Sequence, residues 1–205
     1  MNDLEFAALL VSRVCHDLVS PVGAVVNGLE VLEDETDPAM RADALKLVAA
    51  SAEQAAARLQ FARIAFGAAG SAGAELDLNE VGRIMTGLVK GGRLELVWNA
   101  HALNWPKDWA KLLMNAVLAT SDCLPRGGRV VVETSADPAA PAFRIAGTGT
   151  MVRLSAETER ALVGEPMGLL DGRSIQPYLT YQLAKSLNAG LTLSASANEV
   201  CFAAG

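Results

Sequence analysis

Cysteine is scarce and scattered: Cys15, Cys123 and Cys201 are the only three in 205 residues. They are odd in number and in no metal-ligand spacing, so neither a disulfide framework nor a zinc site organises this chain. Reduced thiols in a cytoplasmic protein are the expectation. Basic charge is not in excess either; 17 Lys and Arg face 23 Asp and Glu, for a net charge of −6. Such a balance repels phosphates and removes nucleic acid from the expected partners. No uninterrupted apolar run reaches the ~18 residues of a membrane span. The start, Met1-Asn2-Asp3-Leu4-Glu5, has no basic flank or cleavable apolar stretch, so neither a membrane anchor nor a secretory signal is expected. Histidine is nearly absent, with His16 and His101 alone. What remains is ordinary for one globular domain or two small ones: 51% hydrophobic and 20% charged residues, too apolar for a disordered chain.

From about residue 2 to 35, apolar residues recur by threes and fours: Phe6, Leu10, Val14, Leu18, Val22, Val25, Leu29 and Leu32. That period predicts one long amphipathic helix. Pro21 falls inside it, removing one backbone donor and crowding the turn before it, so a kink is expected rather than a stop. After Glu33-Asp34-Glu35, Asp37 and Pro38 read as the cap and first residue of a second helix running to about Ala69. Two helices of about 30 residues joined by so short a turn form an antiparallel hairpin about 45 Å long. A lone hairpin cannot bury two apolar stripes, so pairing with a second copy into a four-helix bundle is expected.

The Gly/Ala/Ser stretch that follows reads as a linker. The division is therefore 1–69 for the hairpin, 70–76 for the linker and 77–205 for a second domain. In that domain, patterns predict helices over 77–90, 106–124, 155–163 and 175–188. Strands are predicted at Leu94–Trp98, Arg129–Thr134, Ala142–Ala146, Met151–Leu154, Leu191–Ser194 and Val200–Ala203. Helices on a mostly antiparallel sheet make a two-layer α/β sandwich, so the fold class is α+β. Trp98, Trp105 and Trp109 are expected in the core, and His101 on a surface loop.

His16 lies in Val14-Cys15-His16-Asp17-Leu18-Val19-Ser20-Pro21. At 100° per residue it stands about 200° from Leu18, on the opposite face of the helix. Its own face carries Arg13, Ser20, Gly23, Asn27, Glu30 and Asp34, none of them large and apolar. Small residues beside the ring leave room for another protein, so Arg13, Ser20, Gly23 and Asn27 are expected to meet one. A solvated imidazole is largely neutral at cytosolic pH, and one ring nitrogen then holds a free lone pair. Asp17 follows directly; a hydrogen bond from Nδ1–H to its carboxylate would leave Nε2 as the nucleophile. The bland alternative is a solvated surface histidine. The small polar face, the acid and the proline together favour the nucleophile.

His16 to Pro21, continued by Val22 to Glu30, resembles the phosphoacceptor box of dimeric sensor histidine kinases. The whole chain is similar to the histidine phosphotransferases of alphaproteobacterial cell-cycle phosphorelays. The resemblance implies a helical hairpin followed by a domain like the kinase ATP-binding fold. Lys111 to Gly128 is similar to that fold's asparagine box, but Ala119 stands where the metal-binding asparagine belongs and only Asn115 is kept. Ile145 takes the place of the adenine-reading aspartate, and Ser174-Ile175-Gln176-Pro177 replaces a glycine-rich loop. Losing such polar contacts, at ~1–3 kcal/mol each, would weaken nucleotide binding roughly a hundredfold or more. Gly147 and Gly149 read as a plain turn, since a short Gly-x-Gly is weak evidence for a nucleotide loop.

The resemblance therefore implies a phosphotransferase that works without ATP and binds no cofactor itself. Its donor would be the receiver domain of a hybrid membrane kinase and its acceptors the receivers of response regulators, with Mg²⁺ held by the receiver. Two other readings stay open: an active kinase with an unusual nucleotide site, and a non-catalytic docking or inhibitor module. Ser20 lies where related kinases place Thr or Asn for receiver dephosphorylation. A helix-bending role beside Pro21 is its alternative.

Overall fold

The computed structural model describes residues 2–67, 74–101, 103–166 and 168–205. It opens with α1 (Asp3–Asp34) and α2 (Pro38–Ala65), packed as an antiparallel hairpin. The Asn2 side chain accepts from the Glu5 N–H while the Glu5 carboxylate accepts from the Asn2 N–H, a reciprocal cap on the first turn. α1 runs unbroken through Pro21, which is buried. At its far end the Arg41 guanidinium donates to the Leu32 and Glu35 carbonyls, both at 2.7 Å, satisfying acceptors that a helix end leaves over. Asp37 caps α2 and Pro38 occupies its first turn, as the sequence predicts. Gly28 lets the helices approach closely, since a Cβ there would lie 2.6 Å from Val48 Cγ2.

The second domain follows as β1 (Glu75–Asp77), α3 (Leu78–Val89), β2 (Leu94–Asn99), β3 (Asn104–Pro106), α4 (Lys107–Asp122), β4 (Gly128–Thr134) and β5 (Phe143–Thr148). It ends with α5 (Ala156–Leu162), α6 (Ile175–Ser186), β6 (Thr192–Ala195) and β7 (Glu199–Ala204). The main sheet has the order β2-β4-β5-β7-β6. Alternate residues of its central strands point inward: Val130, Val132, Ile145, Val200 and Phe202 are buried, the period-2 signature of a sheet covered on one face. α4 lies on that face and is itself almost wholly buried, from Ala110 to Val117 and at Ala119 and Thr120. α6 and the end of α2 pack on α4, with Phe61, Ile64 and Ala65 joining the same core. The α+β class, the hairpin and the two layers are therefore as expected.

Three of the four pairings in the main sheet are antiparallel, as expected of a mostly antiparallel sheet, and β2 pairs with β4 in parallel. Other expectations need correction. β1 and β3 form a small antiparallel pair that the sequence did not announce. β1 takes up the end of the expected linker, whose residues 70–73 lie outside the described residues, as do 68–69 of the expected second helix. Met151–Leu154 is not a strand. Its backbone instead bonds to a turn and a helix end, the Val152 N–H to Ala197 O and the Arg153 N–H to Cys123 O. Trp105 is fully buried and meets Trp109 edge-on, while Trp98 and Trp109 are only partly covered. His101 is exposed, as expected.

The apolar stripe of α1 also divides in two. Val14, Leu18, Val25 and Leu32 are half-buried, whereas Val22 and Leu29 stay exposed together with Val11, Val19 and Val26. By length and composition alone α1 would pass as a membrane span. Few of its residues are buried, and its polar face is tied to the second domain by Arg13.

Two outcomes follow from this packing. Ile145→Ala should lower stability by about 2–4 kcal/mol, as for other buried aliphatic truncations, read as a shift of the urea midpoint. Burial pushes the Cys123 thiol up to about 11, with the Asp122 charge adding to the effect. Alkylation of the native chain at pH ~8 should therefore label the exposed Cys15 and spare Cys123 until the chain unfolds, as mass spectrometry would record.

Candidate phosphoacceptor site

His16 projects from the middle of α1 with 84% of its side chain open to solvent. Its Nδ1 lies 3.3 Å from Asp17 Oδ1. An ionised carboxylate can only accept, so in this contact Nδ1 carries the proton and the Nε2 lone pair is free; the tautomer is assigned from that partner. Asp17 is less open, and its other oxygen, Oδ2, accepts from Arg13 Nε at 2.9 Å. One turn of helix thus leaves a proton-free nitrogen on an exposed ring and anchors the carboxylate beside it.

The flanking residues divide. Ser20 and Asn27 are exposed on the His16 side of α1. A Cβ added at Gly23 would meet nothing within 4 Å, so the space beside the ring is open. Arg13 departs from expectation. Helix spacing put it on the open face, yet only 15% of its side chain is accessible. Its Nη1 donates to the Gly172 carbonyl at 3.3 Å and its Nη2 lies 3.8 Å from Asp122 Oδ2. A long side chain can leave the face its Cα belongs to, and here it reaches across to the second domain.

Asp122 is a neighbour of this site that sequence reading missed. It is the last residue of α4, the end where helix carbonyls already carry partial negative charge and an acid is disfavoured. That misplaced acid was the available signal. Burial raises its carboxyl above the usual range, Arg13 opposes this, the nearby Asp17 charge adds to it, and Arg58 opposes it again. With 56% of its side chain still accessible, solvent screens these effects, and the Arg13 guanidinium stands 3.8 Å from its carboxylate.

The residues aligned with a nucleotide site are spent on structure. Asn115 is fully buried and donates to the Ala65 carbonyl at 3.2 Å and the Lys111 carbonyl at 2.9 Å. Gln176 of α6 reaches in and donates to the Asn115 carbonyl at 2.9 Å. Ala119 and Ile145 are core residues, and Pro177 is buried in the first turn of α6. Gly147 is a packing position, with Thr120 Cγ2 2.8 Å from where a Cβ would stand. Among the described residues, no three His, Cys, Asp or Glu side chains cluster to hold a metal.

Comparison with known proteins places this geometry. Residues 78–199 match a family model described as the histidine phosphotransferase C-terminal domain. Over all 205 residues the chain is 38% identical to the protein phosphotransferase ChpT of Brucella abortus (strain 2308), covering 97% of that protein. A solved structure described as a bacterial phosphotransferase superposes with a TM-score of 0.89 at 36% identity, covering 100% of this chain and 98% of the other. With a family model over more than half its length and a full-length relative above 30% identity, this chain belongs to the histidine phosphotransferase family.

Proposed function

We propose that the chain relays a phosphoryl group between receiver domains through His16, without ATP. The observation that carries this is the exposed imidazole with its Nδ1 turned to Asp17, on a helix face that is also open at Gly23. A receiver bearing a phospho-aspartate docks over Ser20, Gly23 and Asn27. The Nε2 lone pair forms the N–P bond as the P–O bond to the receiver aspartate breaks, and that carboxylate keeps the electron pair. The ring, still protonated at Nδ1, then carries positive charge, which the Asp17 carboxylate balances at short range. Attack by a second receiver's aspartate reverses these steps and returns the ring to neutrality. Mg²⁺ and the other charge-stabilising groups come from the receiver, so this chain supplies a placed nucleophile.

Two further features belong to this reading. The exposed apolar residues of α1 and α2, Val11, Val19, Val22, Val26, Leu45 and Leu59 among them, are covered by a second copy, giving a four-helix bundle. The relay operates in the cytoplasm, where its receivers are. The occupied positions of Asn115, Ala119, Ile145 and Gln176 support a phosphate source other than ATP.

In a reconstituted relay, label from a phosphorylated receiver should pass to the wild-type chain and not to His16→Ala. Label on His16→Ala would overturn the assignment. Asp17→Asn should slow transfer about tenfold, ~1.4 kcal/mol on the barrier. A labelled ATP analogue should show no saturable binding at low micromolar concentration; saturation there would restore the kinase reading. Val22→Glu combined with Val26→Glu should convert a dimer into a folded monomer by sedimentation. An unchanged sedimentation coefficient would remove the bundle.

A further inference from the structure

Arg13 is built as a bracket. Its Nε holds Asp17, and its two other nitrogens turn to Gly172 and Asp122 in the second domain. Five charged groups, Arg13, Asp17, Arg58, Lys90 and Asp122, line one cavity of about 260 Å³ between the hairpin and the second domain. The wall of that cavity includes Phe61, Leu88 and Leu118; the Arg13–Asp17 pair, at 15% and 24% side-chain exposure, is screened less than on an open face, while Asp122 at 56% stays in contact with solvent. Arg58 Nε is buried without a hydrogen-bond partner among the described residues, which leaves Arg13 as the cation that bridges the two acids.

Three things about this arrangement need a reason. An acid at the carbonyl end of α4 opposes the helix dipole. An arginine on the phosphoacceptor face is withdrawn from solvent. Asp17, which needs one oxygen on His16, has its other oxygen taken by that same arginine. We propose that Asp122 and the Gly172 carbonyl are positioning groups for His16: by holding Arg13 they fix Asp17, and Asp17 fixes the ring tautomer. On this view the second domain takes part in phosphotransfer through a chain of five residues, Asp122 and Gly172 to Arg13 to Asp17 to His16. The inference rests on the relay reading for its consequence, but the tautomer it predicts exists in the resting protein.

The test follows from the count of histidines. The full chain has two, so His101 serves as an internal reference for His16 in ¹⁵N ring spectra. Wild-type His16 should show the Nδ1–H tautomer. Arg13→Ala and Asp122→Asn should both move it toward Nε2–H while His101 stays unchanged. Transfer from a saturating phosphorylated receiver should fall about tenfold for Arg13→Ala and about threefold for Asp122→Asn. Arg13→Lys should not restore it, because one ammonium cannot span three acceptors in fork geometry. The double variant should be no slower than Arg13→Ala alone, the non-additivity expected of one chain of contacts.

A folded Arg13→Ala chain that keeps the wild-type His16 spectrum would overturn the proposal, as would additive rate losses. If Arg13→Ala does not fold, the spectra of Arg13→Lys and Asp122→Asn decide in the same way. Failure of the relay reading is seen separately, as label on His16→Ala, and leaves the tautomer result to stand on its own.

Discussion

One nearly dry helix organises this protein. α4 meets the sheet on one side and α6, α3 and the end of α2 on the others, and residues from Ala110 to Val117 have almost no contact with water. A helix buried all round must satisfy every polar group inside. Asn115, Gln176 and Thr180 satisfy most of theirs through one another and through the Ala65 and Lys111 carbonyls, with Gln176 Oε1 left without a partner among the described residues. That network ties α2 to α4 and α4 to α6, so the hairpin and the sheet domain share a single core. The phosphoacceptor helix then lies beside the end of α4 because α2, its partner in the hairpin, is locked there.

The same network changes how the nucleotide-like motifs read. An asparagine kept from a nucleotide-site motif can equally be a buried amide with two carbonyl partners, and the residue type does not distinguish the two uses. Here Gln176 and Pro177 occupy the ground where a glycine-rich loop would give phosphates open backbone. Ile145, at the position of the adenine-reading carboxylate, contributes instead to the apolar side of β5.

Much of this was legible in the chain. Helical period, the Asp37-Pro38 cap and the exposure of His16 are local properties, set within a few residues, and they emerge where the sequence puts them. β1 and β3 were hidden because three residues are too few to display a period of two, and Trp105-Pro106 looked like a helix start. The strand residues of β2 and β4 were readable, but their parallel pairing depends on a crossover through α4 that no local pattern encodes. Arg13 was misplaced for a similar reason: its Cα sits on the His16 face, while the Gly172 carbonyl it reaches is 159 residues away in the chain. Periodicity assigns backbones to faces; it does not say where a long flexible side chain ends.

The parallel pairing of β2 and β4 also orders events in time. A parallel pair cannot close through a tight turn; here the chain must pass through β3 and α4 before β4 can reach β2. Contacts between elements distant in sequence form more slowly than local ones, and the hairpin of α1 and α2 is made of neighbours in the chain. As synthesis proceeds from the amino end, the helix bearing His16 emerges well before α4, Asp122 and Gly172. The helix bearing His16 is therefore the early part of this molecule and the groups that meet Arg13 the late part, so a newly made chain has the histidine before it has Asp122 and Gly172.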